Sequence, residues 1–185
     1  QVFATYTGES KAEFRGHSNK IKSIVWSKDD TSLVSCGMDG FIYVWKLNEN
    51  SNNNRQDIHT KGVVMNSVAI SADSKTLYAV GSDKFLKEIV DGGTNRQYDV
   101  NRQYDAQAIL GALAFTNSNK LLFAGVSDEK YGGAIRCYKY PIIGNFSEYQ
   151  AHDFLGVEAL RVTNDDQYLI SAGKDGTVII FEIKD

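Results

Sequence analysis

Short runs of alternating apolar and polar residues fill the chain, and clusters of Gly, Ser, Asn and Asp separate one run from the next. Alternation with a period of two is typical of strands buried on one face, and such clusters are typical of turns. The segment 16–46 shows this most clearly, because runs at 22–27, 32–36 and 41–47 are joined by two polar turns. It predicts three strands of one antiparallel sheet.

The same pattern returns three more times. The residues that close the first strand of each copy are Ser27, Ser71, Thr116 and Thr163, which are 44, 45 and 47 residues apart. Repeats of this length are typical of propeller blades, and blades must stack because no single sheet can bury both of its faces. The further predicted strands lie at 57–60, 66–71, 76–81, 85–90, 111–116, 121–126, 134–140, 157–163, 168–173 and 177–183.

The first copy opens with a Gly-His pair, turns at Asp-Gly and closes with Trp, and in these motifs it resembles the WD40 repeat family. The resemblance implies an all-β propeller of about four four-stranded blades. It also implies a buried hydrogen-bond network of His17, Ser35, Asp39 and Trp45. Asp39 and Ser35 would each hold one imidazole nitrogen of His17, and Ser35 would accept from the Trp45 indole. A buried polar network stabilises a fold only when every member is satisfied.

Other copies depart from this motif. The fourth carries His152, Ser171 and Asp175, but Phe181 stands in the Trp position and has no N–H, so we expect a partly satisfied network. The second keeps Asp83, with Lys61 in place of the His and Ile89 in place of the Trp. We expect that blade to keep the fold and to lack the network.

His17, Asp39 and Ser35 also permit a different interpretation, because Ser, His and Asp are the side chains of a catalytic triad. The Trp and the blade spacing account for the same three residues without any chemistry. We therefore interpret the set as structural. No phosphate-binding Gly loop, metal-spaced Cys/His set or nucleophile elbow accompanies it, so we predict a protein that is not an enzyme and needs no cofactor or metal.

Three segments interrupt the repeat. An Asn-rich connector at 48–55 predicts a mobile loop between third and fourth strands. The motif NRQYD occurs at 95–99 and again at 101–105, which predicts a longer fourth strand or a longer loop after it. An insertion at 128–133 lengthens the turn between the second and third strands of the third copy.

The strand count leaves two arrangements open. We expect residues 1–15 to end a preceding blade through strands at 2–7 and 11–15, followed by repeats at 16–60, 61–100, 101–150 and an incomplete 151–185. The strand at 11–15 could pair beside the last strand and close a four-bladed ring. The resemblance instead favours an arc of a larger ring, since WD40 propellers usually have about seven blades. Its open edges predict self-association with a second copy.

Composition narrows the class of protein. A formal net charge of −3 argues against general binding of nucleic acid or acidic membranes, and no apolar run approaches the length of a membrane span. The two cysteines, Cys36 and Cys137, lie in predicted strands of different copies, so we expect reduced core thiols, as in the cytoplasm.

The remaining hypothesis is a rigid surface for protein partners. In WD40 propellers, partners bind mainly at the rim that carries the residue before each turn Asp and the start of the innermost strands. The matching candidates here are Lys20, Lys22, Met38, Ser82, Tyr131, Phe154 and Lys174.

Two segments narrow the resemblance. CGMDG at 36–40 and GSDKFLKEI at 81–89 are similar to the second propeller of the cilia- and flagella-associated protein 57 family, which implies an axonemal scaffold that anchors or regulates inner-arm dynein. Two alternatives stay open. One is a general cytosolic or nuclear WD40 adaptor, of the substrate-receptor or ribosome-assembly kind. The other is an enzyme that uses the central channel, which would need converging charges that the sequence does not show.

Overall fold

A computed structural model describes residues 1–47, 55–91, 98–130, 132–153 and 155–184, and these residues form strands joined by turns. Four antiparallel sheets follow one another along the chain, and in each sheet the strands pair in sequence order. The predicted all-β fold with four propeller blades is therefore confirmed. The connector 48–54, residues 92–97, Tyr131, Phe154 and Asp185 lie outside the described residues, so the prediction of a mobile loop at 48–55 stays a prediction.

The first three blades have four strands each, and the fourth has three among the described residues. Blade 1 contains β3 (Ile21–Trp26), β4 (Ser32–Gly37), β5 (Phe41–Lys46) and β6 (Arg55–His59). Blade 2 contains β7 (Met65–Ile70), β8 (Thr76–Gly81), β9 (Phe85–Asp91) and β10 (Tyr98–Asp105). Blade 3 contains β11 (Leu110–Phe115), β12 (Leu121–Val126), β13 (Ala134–Lys139) and β14 (Phe146–Gln150), and blade 4 contains β15 (Val157–Val162), β16 (Tyr168–Gly173) and β17 (Val178–Glu182).

The core lies between the blades. Val34 and Ile42 of blade 1 pack against Val68 and Leu77 of blade 2, and similar apolar clusters join blade 2 to blade 3 and blade 3 to blade 4. The three inner strands of each middle blade are largely buried on both faces for this reason, whereas β17 alternates, with Val178 67% and Ile180 64% exposed. In the earlier blades, the equivalent face packs against the next blade along the chain.

The N-terminal segment differs from its prediction. The strands predicted at 2–7 and 11–15 shrink to β1 (Val2–Phe3) and β2 (Ser10–Ala12), because the intervening residues form a tight turn. Ala4 N–H donates to Glu9 at 2.8 Å, and Gly8 takes a positive φ of 69° that suits a residue without a side chain. β2 pairs with β1, and among the described residues β17 pairs only with β16, so these strands do not close a four-bladed ring.

The duplicated NRQYD segment lengthens the fourth strand of blade 2, one of the two outcomes that the sequence left open. β10 has 8 residues, and a bulge between Val100 and Arg102 leaves Asn101 without a partner in the pairing. A single extra residue turns the strand over. Tyr98 therefore packs in the core toward blade 1, and Tyr104, six positions later, packs in the core toward blade 3.

Candidate partner-binding rim

The network of blade 1 joins the four side chains that the WD40 resemblance implies. His17 Nδ1 lies 2.9 Å from Asp39 Oδ2, His17 Nε2 lies 2.8 Å from Ser35 Oγ, and Trp45 Nε1 donates to the same hydroxyl at 2.8 Å. A proton on His17 Nδ1 satisfies every group, because Ser35 can then donate to Nε2 while it accepts from the indole. The side chains of His17 and Asp39 are 4% and 3% exposed. Both ring nitrogens of His17 are occupied within this buried network, which supports the structural interpretation over a catalytic triad.

Asp39 connects the network to the rim above it. Its carboxylate accepts from the Ser18 N–H at 2.9 Å and from the Phe41 N–H at 3.2 Å, so it fixes the loop before β3 against the turn after β4. Burial alone would raise the pKa of Asp39, but the hydrogen bonds from Ser18 and His17 outweigh it and hold this pKa below its usual value. The carboxylate is therefore stable as an acceptor for the rim loop.

Blade 4 holds a reduced version of this network. His152 Nε2 lies 2.8 Å from Ser171 Oγ, and His152 Nδ1 lies 3.1 Å from Asp175 Oδ1. Asp175 also accepts from the Asp153 and Thr177 backbone N–H groups, and hydrogen bonds of this kind, with Thr177 first, lower its pKa strongly. Phe181 packs at the Trp position without a donor, as its sequence indicates.

Blades 2 and 3 fill the equivalent place with a buried cation, which the sequence analysis missed. In blade 2 the ammonium of Lys87 contacts Asp83, and the Lys87 side chain is 4% exposed. In blade 3, Arg136 donates from Nε to Glu148 at 2.7 Å and from Nη1 to the Ala106 carbonyl. Both cations stand two residues before the Trp position on the third strand, at an inward position where a charge is rare. A charged residue at this inward position was the signal in the sequence that could have indicated these two buried cations.

The rim above these networks is held together by backbone hydrogen bonds. Met38 N–H donates to Lys20 at 2.9 Å, Thr60 N–H donates to Gly40 at 2.9 Å, and Ser82 N–H donates to Val64 at 3.0 Å. Lys20, Lys22, Met38, Ser82 and Lys174 are all exposed there, as the sequence predicts, and Lys174 pairs with Glu158 at 3.2 Å. The other two candidates, Tyr131 and Phe154, lie outside the described residues.

Each innermost strand also carries a bulge near its start, at the rim. The pairing with the second strand shifts by one residue there, at the four equivalent positions Lys22, Asn66, Gly111 and Glu158. A bulge re-aims the side chain of the extra residue and often lies beside a functional site. Asn66 uses it to donate to Leu110 of the next blade at 3.0 Å, and Glu158 uses it to pair with Lys174.

The described part of the chain contains two cysteines and no metal-binding cluster. Cys36 and Cys137 are free there, and burial raises the pKa of Cys36 to about 12. No three His, Cys, Asp or Glu side chains of that part lie close enough together to hold a metal ion. It contains no helix long and apolar enough to cross a membrane.

Comparison with known proteins defines the class. The WD40 model, described as "WD domain, G-beta repeat", matches residues 8–46 and 145–182. A solved structure, the Cps50 (Swd1) β-propeller domain of Myceliophteria thermophila, superposes with a TM-score of 0.80 at 16% identity, over 98% of this chain and 57% of that one. The chain is thus a WD40-repeat β-propeller segment.

Two curated relatives with high identity to the chain are ciliary by name. The chain is 45% identical to cilia- and flagella-associated protein 57 C of Tetrahymena thermophila and 36% identical to cilia- and flagella-associated protein 57 of Mus musculus, in both cases over 100% of this chain. It spans only 15% and 14% of the lengths of these two relatives. The predicted resemblance to the cilia- and flagella-associated protein 57 family is confirmed, and its assignment to the second propeller stays a prediction.

Proposed function

We propose that this chain serves as a non-enzymatic scaffold that binds protein partners through its rim in the axoneme of a cilium or flagellum. Its compartment is then the cytoplasm and its cytoskeleton, and axonemal dynein or other axonemal proteins are the partners that the resemblance implies. The similarity to cilia- and flagella-associated protein 57 over the full chain supports the ciliary part of this proposal.

One observation carries the scaffold part. Exposed side chains of the rim stand on loops that are fixed from below by buried side chains, as Asp39 fixes the loop of Ser18 and Asp175 fixes that of Asp153. A preformed surface loses little conformational entropy when it binds a partner. The site thus combines exposure with rigidity, as a docking surface requires.

We further infer that the four blades are an arc of a larger propeller. Ile24 and Trp26 on the first blade are 52% and 46% exposed, and Val178 and Ile180 on the last blade are exposed further. In the middle of the chain the equivalent faces are covered by the neighbouring blade. Further blades of the same protein would cover these two faces, and a second copy is the alternative occupant.

The test uses the full-length protein in a ciliated cell. A tagged form is fractionated into isolated axonemes and soluble extract, beside the variant Met38→Asp and the control Lys139→Asp, whose residue is exposed at the end of β13 on the opposite rim. We expect the parent and the control in the axonemal fraction with the same protein partners, and fewer partners for Met38→Asp. Recovery of the parent only from soluble extract would favour a general adaptor and contradict the ciliary proposal.

A further inference from the structure

Charge is distributed unevenly around the rim. On blades 1 and 2 the exposed lysines Lys20, Lys22 and Lys61 have no carboxylate within ion-pair distance among the described residues. The turn carboxylates of that half are engaged from below, because Asp39 holds His17 and Asp83 holds Lys87, whereas Asp105, at the end of β10 opposite Phe85, is exposed. The exposed side chains of blades 1 and 2 on this rim therefore carry more positive than negative charge, although the whole chain carries a formal net charge of −3.

The other half of the rim is balanced or acidic. Lys174 pairs with Glu158 at 3.2 Å, and Lys84, at the boundary between blades 2 and 3, pairs with Asp128 at 3.5 Å. Glu129 and Asp153 are exposed close by in the chain. The lysines without an ion-pair partner thus lie on the rim of blades 1 and 2. A partner of opposite charge would be oriented by this part of the rim.

Apolar side chains lie among the three lysines. Ile21 is 50% and Met38 is 40% exposed, and Met38 N–H donates to the Lys20 carbonyl. The turn that follows Met38 contacts the loop of Lys61 through the bond from Thr60 to Gly40. Five residues that are exposed on these linked loops are called the basic rim: Lys20, Ile21, Lys22, Met38 and Lys61.

We propose that the basic rim binds an acidic peptide segment that inserts an apolar side chain beside Met38. This inference rests on the proposed scaffold function and adds the chemistry of the partner. Lysines attract carboxylates and set orientation, while a flexible Met adapts to an apolar side chain. A nucleic acid fits less well, since none of the five residues is aromatic and three cations neutralise few phosphates.

The experiment selects ligands without assuming an identity. A phage-displayed library of random short peptides is panned on the full-length protein, and the enriched peptides are measured by fluorescence anisotropy on the parent and on two charge-reversal variants. One variant is Lys20→Glu/Lys22→Glu/Lys61→Glu. The matched control is Lys75→Glu/Lys139→Glu/Lys184→Glu, which makes the same charge change on the opposite rim at three exposed positions.

We expect enriched peptides rich in Asp and Glu with an apolar residue, an affinity about tenfold lower on the basic-rim variant, and an unchanged affinity on the control. Met38→Asp should weaken binding too, and added salt should weaken it on the parent. Enriched peptides that are not acidic, or that bind both triple variants equally, overturn the inference and leave the scaffold function standing. Absence of any enriched peptide counts against both. Tighter binding of a single-stranded oligonucleotide than of the peptides overturns it in favour of nucleic acid.

Discussion

Blades 1 and 2 both bind the carboxylate of the turn Asp, but they bind it with different side chains. In blade 1 the Asp of the turn is held by a neutral network that runs from His17 through Ser35 to Trp45. In blade 2 the Asp of the turn is held by an ammonium, because Lys87 reaches it from the third strand and the Ser position is occupied by Ala79. The strands on either side of the two turns nevertheless pair in the same register.

The difference shows that the fold requires a partner for the turn carboxylate and does not require a particular one. In blade 1, several hydrogen bonds together offset the free-energy cost of burying the turn carboxylate. In blade 2, one ion pair offsets most of this cost. The two blades should therefore respond unequally to the loss of a single group.

Replacement of Asp83 by Asn should have the largest effect. It leaves the buried ammonium of Lys87 without a countercharge, and we expect a loss of about 3 kcal/mol in the free energy of unfolding, at the lower end for a buried pair because a quarter of the Asp83 side chain is exposed. Urea unfolding measures it. The double variant Asp83→Asn/Lys87→Met removes both charges and should recover most of the loss. A double variant as unstable as the single one would show that the ion pair is not the cause.

Removal of the network serine should lower the free energy of unfolding by less than Asp83→Asn does. The loss should differ between blade 1 and blade 4, the two blades with this serine. Ser35→Ala leaves His17 Nε2 and the Trp45 N–H both unpaired, and we expect a loss of about 2 kcal/mol. Ser171→Ala leaves only His152 Nε2, and we expect about 1 kcal/mol. Chemical denaturation of the two variants side by side measures the difference. Equal losses would contradict the role given to the indole.

Acid should weaken the network of blade 1. Hydrogen bonds keep the pKa of Asp39 below its unfolded value near 4, so its contribution is present above that value and is lost as pH falls through the lower, folded value. We expect the urea midpoint of the parent to drop between pH 6 and pH 3 by more than that of Asp39→Asn, which has no proton to gain there. Identical drops in the two proteins would argue that other carboxylates carry the acid sensitivity.

The smallest effect is expected at the surface of the same rim. Lys174 and Glu158 are each 52% exposed, and exposed ion pairs contribute little. Lys174→Ala should change the free energy of unfolding by less than about 0.5 kcal/mol, as measured by thermal or urea unfolding. A loss comparable to that of Asp83→Asn would overturn the distinction between buried and exposed pairs.

The blades themselves could be predicted from the sequence, because alternation, turn residues and spacing are local signals. Strands such as β8, β12 and β16 fall where the pattern places them. The network residues of blades 1 and 4 followed from a motif that is short and specific. The positions of the bulges did not, because a bulge at Lys22 or Glu158 depends on the register with a neighbouring strand.

Contacts between blades could not be predicted from the sequence either. Asp166, which lies in the turn between β15 and β16, accepts from the Asn117 and Ser118 N–H groups of blade 3, both at 2.7 Å. Lys87 and Arg136 were overlooked because a charge in a strand is read as solvent-exposed unless its buried partner is known. Partners that are distant in sequence, such as Arg136 and the Ala106 carbonyl, come together only in the folded sheet.

The buried network of each blade holds the rim loop of that blade in place. Hydrogen exchange at the rim tests this claim. The variant His17→Ala removes the imidazole under segment 16–22, which leads into β3, and leaves segment 151–156, which leads into β15 of blade 4, untouched. Exchange followed by mass spectrometry should become faster at 16–22 and stay at the parent rate at 151–156. Unchanged exchange in both segments, or an equal rise in both, would contradict the account.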